Sequence, residues 1–211
     1  MYRKTNSHQF LRAISSMMGQ KWLDILIDSI KQPMIDGIEL PGFPPDELQR
    51  SIVGSCGETA LREVYPFYCK IKRYADKLGV KLTQESRILD FGCGWGRIIR
   101  FFLKDINADN LYGIDVYPEM IDLCKKLVRY GNYSICNSLP TIEFSDESMD
   151  IVYIYFVLSH LAEPVHIKWI LEFSRILKPG GIPVAITEAR HFIEFSRSLR
   201  GKKMTWSGLT V

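Results

Sequence analysis

From Gln9 to Ile30 the apolar residues Phe10, Leu11, Ile14, Met17, Met18, Trp22, Ile25, Leu26 and Ile30 recur at spacings of three and four. That spacing is the stripe of an amphipathic helix, and Pro33 limits its extension. Pro41-Gly-Phe-Pro-Pro-Asp46 reads as a turn between helices, with Asp46 placed to cap a short helix that starts near Glu47. Ser51 to Gly57 is small and flexible in composition. Glu58 to Leu78 carries the helical stripe again through Leu61, Val64, Tyr65, Tyr68, Ile71 and Tyr74, with a break or kink expected at Pro66 and a C-cap at Gly79.

The period changes at Ser86. Short apolar runs at 87–91, 111–115, 133–136, 150–155 and 182–188 alternate with helical patterns at 95–104, 118–129, 164–177 and 190–199. Pro118 and Pro164 sit where the first turn of a helix tolerates them, and Pro183 predicts a bulge or an irregular strand start. Strands alternating with helices give an α/β fold: a doubly wound, mostly parallel sheet, preceded by a helical cap. The expected division is a cap over 1–82 and a ligand-binding domain over 83–211.

Composition narrows the function classes. The chain is 46% hydrophobic and 24% charged, which suits a globular protein rather than a disordered or membrane-spanning one. Its net charge of +3 is small and its Lys and Arg residues are scattered, so no nucleic-acid partner is expected. Five cysteines without a C-x-x-C pair argue against a disulfide framework or a zinc site and favour a reducing, cytoplasmic home. No apolar run is long enough for a membrane span, and no signal peptide is visible.

The chemistry concentrates in Ile88-Leu-Asp-Phe-Gly-Cys-Gly-Trp-Gly-Arg97. A strand ends in a carboxylate, then turns through Gly92, Gly94 and Gly96 towards a helix, bringing a ligand close to bare backbone. The dinucleotide fingerprint needs its third glycine three residues after the second, whereas Gly96 follows Gly94 by two. Asp90 before the loop is badly placed for a diphosphate and well placed for an ammonium. A second acid, Asp115, ends the next strand 19 residues past Gly96, where a carboxylate can accept from a ribose diol. Both features disfavour a nicotinamide dehydrogenase and favour a zwitterionic nucleoside.

These residues resemble motif I and the ribose-binding strand of the class I S-adenosylmethionine-dependent methyltransferases. Asp150 to Leu161 is similar to the family's fourth strand and the loop after it, and Leu177-Lys-Pro-Gly-Gly181 to the turn before the fifth. The resemblance covers residues 86–186. It implies a Rossmann-like methyltransferase fold, with S-adenosylmethionine held by Asp90, Gly92, Cys93 and Gly94 at its methionine end. It further implies ribose on Asp115, adenine against Val116, the segment Asn137, Ser138 and Leu139 along the adenine edge, and Phe156 in the pocket wall. The modest charge and the lack of an accompanying recognition module make a small molecule or glycan-type metabolite, with an oxygen or nitrogen nucleophile, the expected acceptor. A non-catalytic cofactor-binding or scaffold protein is the alternative.

His160, after the fourth strand, is the candidate general base, weighed against a structural histidine bonded to backbone. Trp95 is equally suited to stacking on the ligand or packing inside. Arg97 is expected at a surface or loop salt bridge. Gly54-Ser-Cys-Gly57 is a candidate lid, while Tyr65, Phe67 and Tyr68 are expected mainly to pack helices onto the sheet. The family ordinarily adds two strands after the fifth, so the resemblance implies a chain short of a strand pair. An open edge of that kind would pair with a second copy, lie under the N-terminal helices, or belong to a weakly active protein.

Overall fold

The computed structural model describes residues 19–187 apart from Asp36. The expected helix at 190–199, the first half of the helix at 9–30, and the C-terminal stretch expected to lack a strand pair lie outside the described residues.

The described chain opens with α1 (Gly19–Asp28), a two-residue hairpin of β1 (Met34–Ile35) and β2 (Ile38–Glu39), and then α2 (Asp46–Val53) and α3 (Gly57–Lys77). Five strands follow: β3 (Ile88–Phe91), β4 (Leu111–Asp115), β5 (Asn132–Ile135), β6 (Met149–Tyr155) and β7 (Leu177–Ile186). They form one parallel sheet in the order β5-β4-β3-β6-β7. Helix α4 (Pro118–Leu123) links β4 to β5, and α5 (Glu163–Ile176) links β6 to β7. The order reverses beside β3, so ligand-binding loops converge outside the carboxyl ends of β3, β4 and β6.

Side-chain alternation along the strands divides the core. Ile88, Ile151, Tyr153, Ile182 and Val184 face a layer built from α1, α3 and the residues after β3. Leu89, Phe91, Val152 and Ile154 face α5 through Trp169, Phe173 and Ile176. Both faces are covered, which is why β3 is buried along its whole length.

Four local expectations need correction. Helix α3 runs unbroken through Pro66; burial of Leu61, Val64, Phe67, Tyr68 and Ile71 offsets the hydrogen bond that proline lacks. Asp46 does not cap α2: Pro45 holds that position, and the Asp46 carboxylate accepts instead from Arg50 at 3.2 Å. The helix expected over 95–104 is a turn followed by a 3-10 helix, Ile99–Lys104, in which all six residues are buried. With even Arg100 and Lys104 buried, no polar stripe turns towards water, and packing overrides the α period. The helix expected over 118–129 ends as a π-helical turn, Cys124–Val128.

Other features conform. Gly79 has φ +78°, its N–H donates to the Asp76 carbonyl at 3.1 Å, and Val80 N–H donates to Ala75 at 2.8 Å. That is a Schellman closure of α3. The irregularity expected near Pro183 falls just before it, where the β6–β7 register shifts between Met149 and Ile151. Pro183 itself pairs with Val152 on the sheet's outer strand among the described residues, where a missing donor is tolerated.

Candidate functional site

The glycine loop hangs from β4. The N–H groups of Gly92 and Cys93 both donate to the Ile114 carbonyl, at 2.8 and 3.0 Å, and Gly96 N–H closes back on Cys93 at 2.9 Å. The three glycines have different duties. A Cβ on Gly92 would meet Val157 Cγ2 at 2.3 Å, and one on Gly96 would meet Val128 Cγ2 at 2.6 Å. One on Gly94 would meet nothing within 4 Å. The outer two permit close packing of the protein on itself; the middle one borders open space that a ligand can enter.

Asp115 holds that open part in shape. Its Oδ2 accepts from Gly94 N–H at 2.9 Å and its Oδ1 from Tyr117 N–H at 3.0 Å. Each carboxylate oxygen keeps a second acceptor position, so both remain able to take a ribose hydroxyl. Beside it Val116, Tyr117, Ile135 and Leu139 are exposed apolar side chains, a surface suited to the face of a base.

Asp90 contrasts with this. It is 2% exposed, and its Oδ2 has no hydrogen-bond partner. Burial pushes the carboxyl up to about 8. The Tyr153 hydroxyl opposes that rise, the Asp115 charge adds to it, and the Arg97 charge opposes it. Asp90 and Tyr153 are register partners across β3 and β6, yet the Tyr153 hydroxyl is also buried without a full hydrogen bond. An unpartnered buried carboxyl costs free energy unless something arrives to pair with it. A ligand ammonium fits that need, and the Gly94 gap gives it a backbone cradle. The residues present therefore fit the amino-acid end and the ribose of S-adenosylmethionine.

The other expected site residues are placed as follows. Cys93 is buried, and the Cys124 thiol together with burial pushes its own thiol well up, so it packs rather than reacts. Asn137 and Leu139 are exposed; Asn137 donates to Thr141 at 2.9 Å, while the Ser138 carbonyl accepts from Trp169 Nε1 at 3.0 Å. Phe156 holds φ +61° directly after β6, an uncommon conformation for a bulky residue, with its N–H on the Ile186 carbonyl. His160 ends the 3-10 turn Leu158–His160 and is exposed. Trp95 packs inside at 1% exposure, with its ring centroid 6.0 Å from that of Phe43. Phe67 and Tyr68 also pack, against Tyr155 and Phe101 respectively. The Gly54–Gly57 segment is a tight turn rather than a free lid. Gly54 ends α2 in the left-handed region, and Gln49 Oε1 accepts from Gly57 N–H at 3.0 Å.

Two arginines flank the loop: Arg97 forms a salt bridge there as expected, and Arg100 has a role that spacing did not reveal. Arg100 is fully buried, lies 4.4 Å from the Phe43 ring centre and 4.8 Å from that of Trp95, and donates to the Gly42 and Gly96 carbonyls. It fastens the segment before α2 to the back of the glycine loop, and desolvation pulls its pKa down to about 10. Arg97 lies over the Tyr155 ring at 5.5 Å and meets Glu63 at 3.4 Å. Tyr153 was also missed, although the alternation of β6 puts it on the Asp90 face.

Comparison with known proteins agrees with this geometry. Residues 88–181 match a family model described as a methyltransferase domain. The chain is 31% identical over 165 residues to the tRNA N(3)-cytidine methyltransferase METTL2 of Gallus gallus, covering 74% of this chain and 44% of that protein. It is 26% identical to the O-methyltransferase atr3 of Stereocaulon alpinum, covering 65% of this chain and 45% of the other. It thus spans less than half the length of either relative. A solved S-adenosylmethionine-dependent methyltransferase from Clostridium acetobutylicum superposes with a TM-score of 0.55 over 72% of this chain and 58% of that one, at 14% identity. That last likeness is one of fold.

Proposed function

We propose that this chain, which belongs to the class I S-adenosylmethionine-dependent methyltransferases, methylates an oxygen or nitrogen of a small-molecule or glycan-type acceptor. The observation that carries cofactor binding is the pairing of an unpartnered buried carboxyl, Asp90, with a second carboxylate, Asp115, that shapes the open Gly94 turn. Asp90 pairs with the cofactor's ammonium, Gly92, Cys93 and Gly94 line its amino-acid end, and Asp115 accepts from its ribose. Val116 and the Asn137–Leu139 segment border the adenine, and Phe156 walls the pocket. The cofactor supplies an electrophilic methyl group. The chain's task is then to hold a nucleophile in line and close to that carbon, to exclude water, and to receive a proton. His160, just beyond β6, receives it on its imidazole.

Calorimetric titration with S-adenosylmethionine and with NAD tests the cofactor. Saturable binding of NAD alone would refute the assignment. His160→Ala should lower kcat and leave cofactor affinity unchanged, whereas a cofactor-binding protein without turnover shows the same titration and no transfer at all.

The acceptor class rests on the modest net charge of +3. The relative named for tRNA cytidine makes RNA the reading to test against. Cell extracts incubated with methyl-labelled cofactor should yield dialysable label; label confined to RNA would overturn the small-molecule assignment. Among the described residues no helix is long and apolar enough to cross a membrane.

A further inference from the structure

Arg97 follows the third glycine of the loop, and its side chain is only 11% exposed. A guanidinium has five N–H donors. Arg97 commits one of them, through Nη1 to Glu63 Oε2 at 3.4 Å, a long contact for a charge-assisted bond. That same Glu63 oxygen also accepts from Ser55 Oγ. Glu63 is 44% exposed, so it is a loosely held counter-ion for a largely buried cation.

The sheet fixes where this cation stands relative to Asp90. Asp90 pairs in register with Tyr153, and Tyr155 lies on the same face two residues further along β6. Two residues of strand advance about 7 Å towards the carboxyl ends. Arg97 rests over the Tyr155 ring, so its guanidinium lies on the Asp90 face of the sheet, nearer the carboxyl ends of the strands than the unpartnered Asp90 oxygen. An α-amino acid places its ammonium and carboxylate roughly 3 Å apart, and a charge-assisted hydrogen bond at each end adds about 2.8 Å. The two-residue advance is of that order. The charges also run in the right order, with the acid deep and the cation outward, and each already influences the other.

We infer that Arg97 binds the carboxylate of the cofactor's amino-acid end, with Asp90 on its ammonium, and that Glu63 is the counter-ion this carboxylate displaces. The inference rests on the proposed cofactor and adds the residue that recognises its acidic group. It also gives the α2–α3 turn a link to the ligand, because Glu63 released from Arg97 still holds Ser55.

The test compares binding of S-adenosylmethionine with that of its decarboxylated analogue by calorimetry, in wild type, Arg97→Gln and Glu63→Gln. Circular dichroism confirms that each variant is folded, and Arg97→Lys serves if Arg97→Gln is not. Wild type should prefer the intact cofactor by about tenfold to a hundredfold, the size of one charge-assisted contact. Arg97→Gln should bind both compounds alike, and Arg97→Lys should restore part of the preference. Glu63→Gln should tighten the intact cofactor and leave the analogue unchanged. A folded Arg97→Gln that keeps the full preference overturns the inference while the cofactor assignment stands. Wild type that binds neither compound overturns the cofactor assignment itself.

Discussion

Asp90 and Tyr153 face one another across the β3–β6 register with both polar ends buried and neither fully hydrogen-bonded. The sheet is otherwise largely apolar, so on the proposed reading that pair marks where the protein leaves polar groups for a ligand to satisfy. The predictions below follow from it and from the loop beside it.

Ligand-free stability should fall as pH rises through the range set by Asp90. An unfolded carboxyl titrates near 4, whereas the folded one is pushed up to about 8 by burial. Below the unfolded value both states are protonated and burial costs little; between the two values the folded state alone keeps its proton, so each step upward favours unfolding. Chemical denaturation between pH 5 and pH 8 should show this slope, and Asp90→Asn should flatten it. An unchanged slope in that variant would assign the pH dependence elsewhere.

Cofactor binding near neutral pH should release protons. The free Asp90 carboxyl is largely protonated below about 8, and pairing with an ammonium favours its ionised form. Titrations in buffers of different ionisation enthalpy read the release directly. The effect should vanish in Asp90→Asn.

Asp115→Ala should weaken cofactor binding by roughly tenfold to a few hundredfold, the worth of one or two hydrogen bonds to a charged group. It also strands the Gly94 and Tyr117 N–H groups that Asp115 now satisfies. A lower melting temperature should therefore accompany the lost affinity. Asp115→Asn keeps one acceptor and should fall between the two.

The glycines should separate folding from binding. Gly92→Ala drives a methyl into Val157 at 2.3 Å and should cost about 2–4 kcal/mol of stability. Gly94→Ala meets no protein atom and should cost about 1 kcal/mol from its positive φ alone. Its loss should appear in the titration, because the added methyl occupies ligand space. Equal thermal shifts in the two variants would contradict this division.

Periodicity exposes what repeats, and here that was the five strands, the course of α3, and the two strand-end acids. It could not expose Tyr153, whose meaning depends on which residue of β3 lies opposite. Nor could it expose Arg100, or which partners the salt bridge expected of Arg97 would find. Adjacent in a helical pattern, Arg97 and Arg100 reach in different directions, one to Glu63 and Tyr155 and the other to the Gly42 and Gly96 carbonyls. The 3-10 form of Ile99–Lys104 was equally hidden, because burial on every side removes the polar stripe that announces an α-helix. Trp95 illustrates the reverse case. Its place in the loop suited a ligand contact and internal packing equally, and the packing of Phe43 and Arg100 against it decided for the second.

The two site acids differ in what they give back to the fold. Asp115 ties two backbone donors and would be kept by a lineage that needed only a stable chain. Asp90 ties none with its buried Oδ2 and imposes a desolvation cost. Once selection for ligand binding lapsed, drift would erase Asp90 first, in favour of a neutral or apolar residue, and leave Asp115 behind as a fossil of the site. A library of variants sorted for folding alone should reproduce that order of loss.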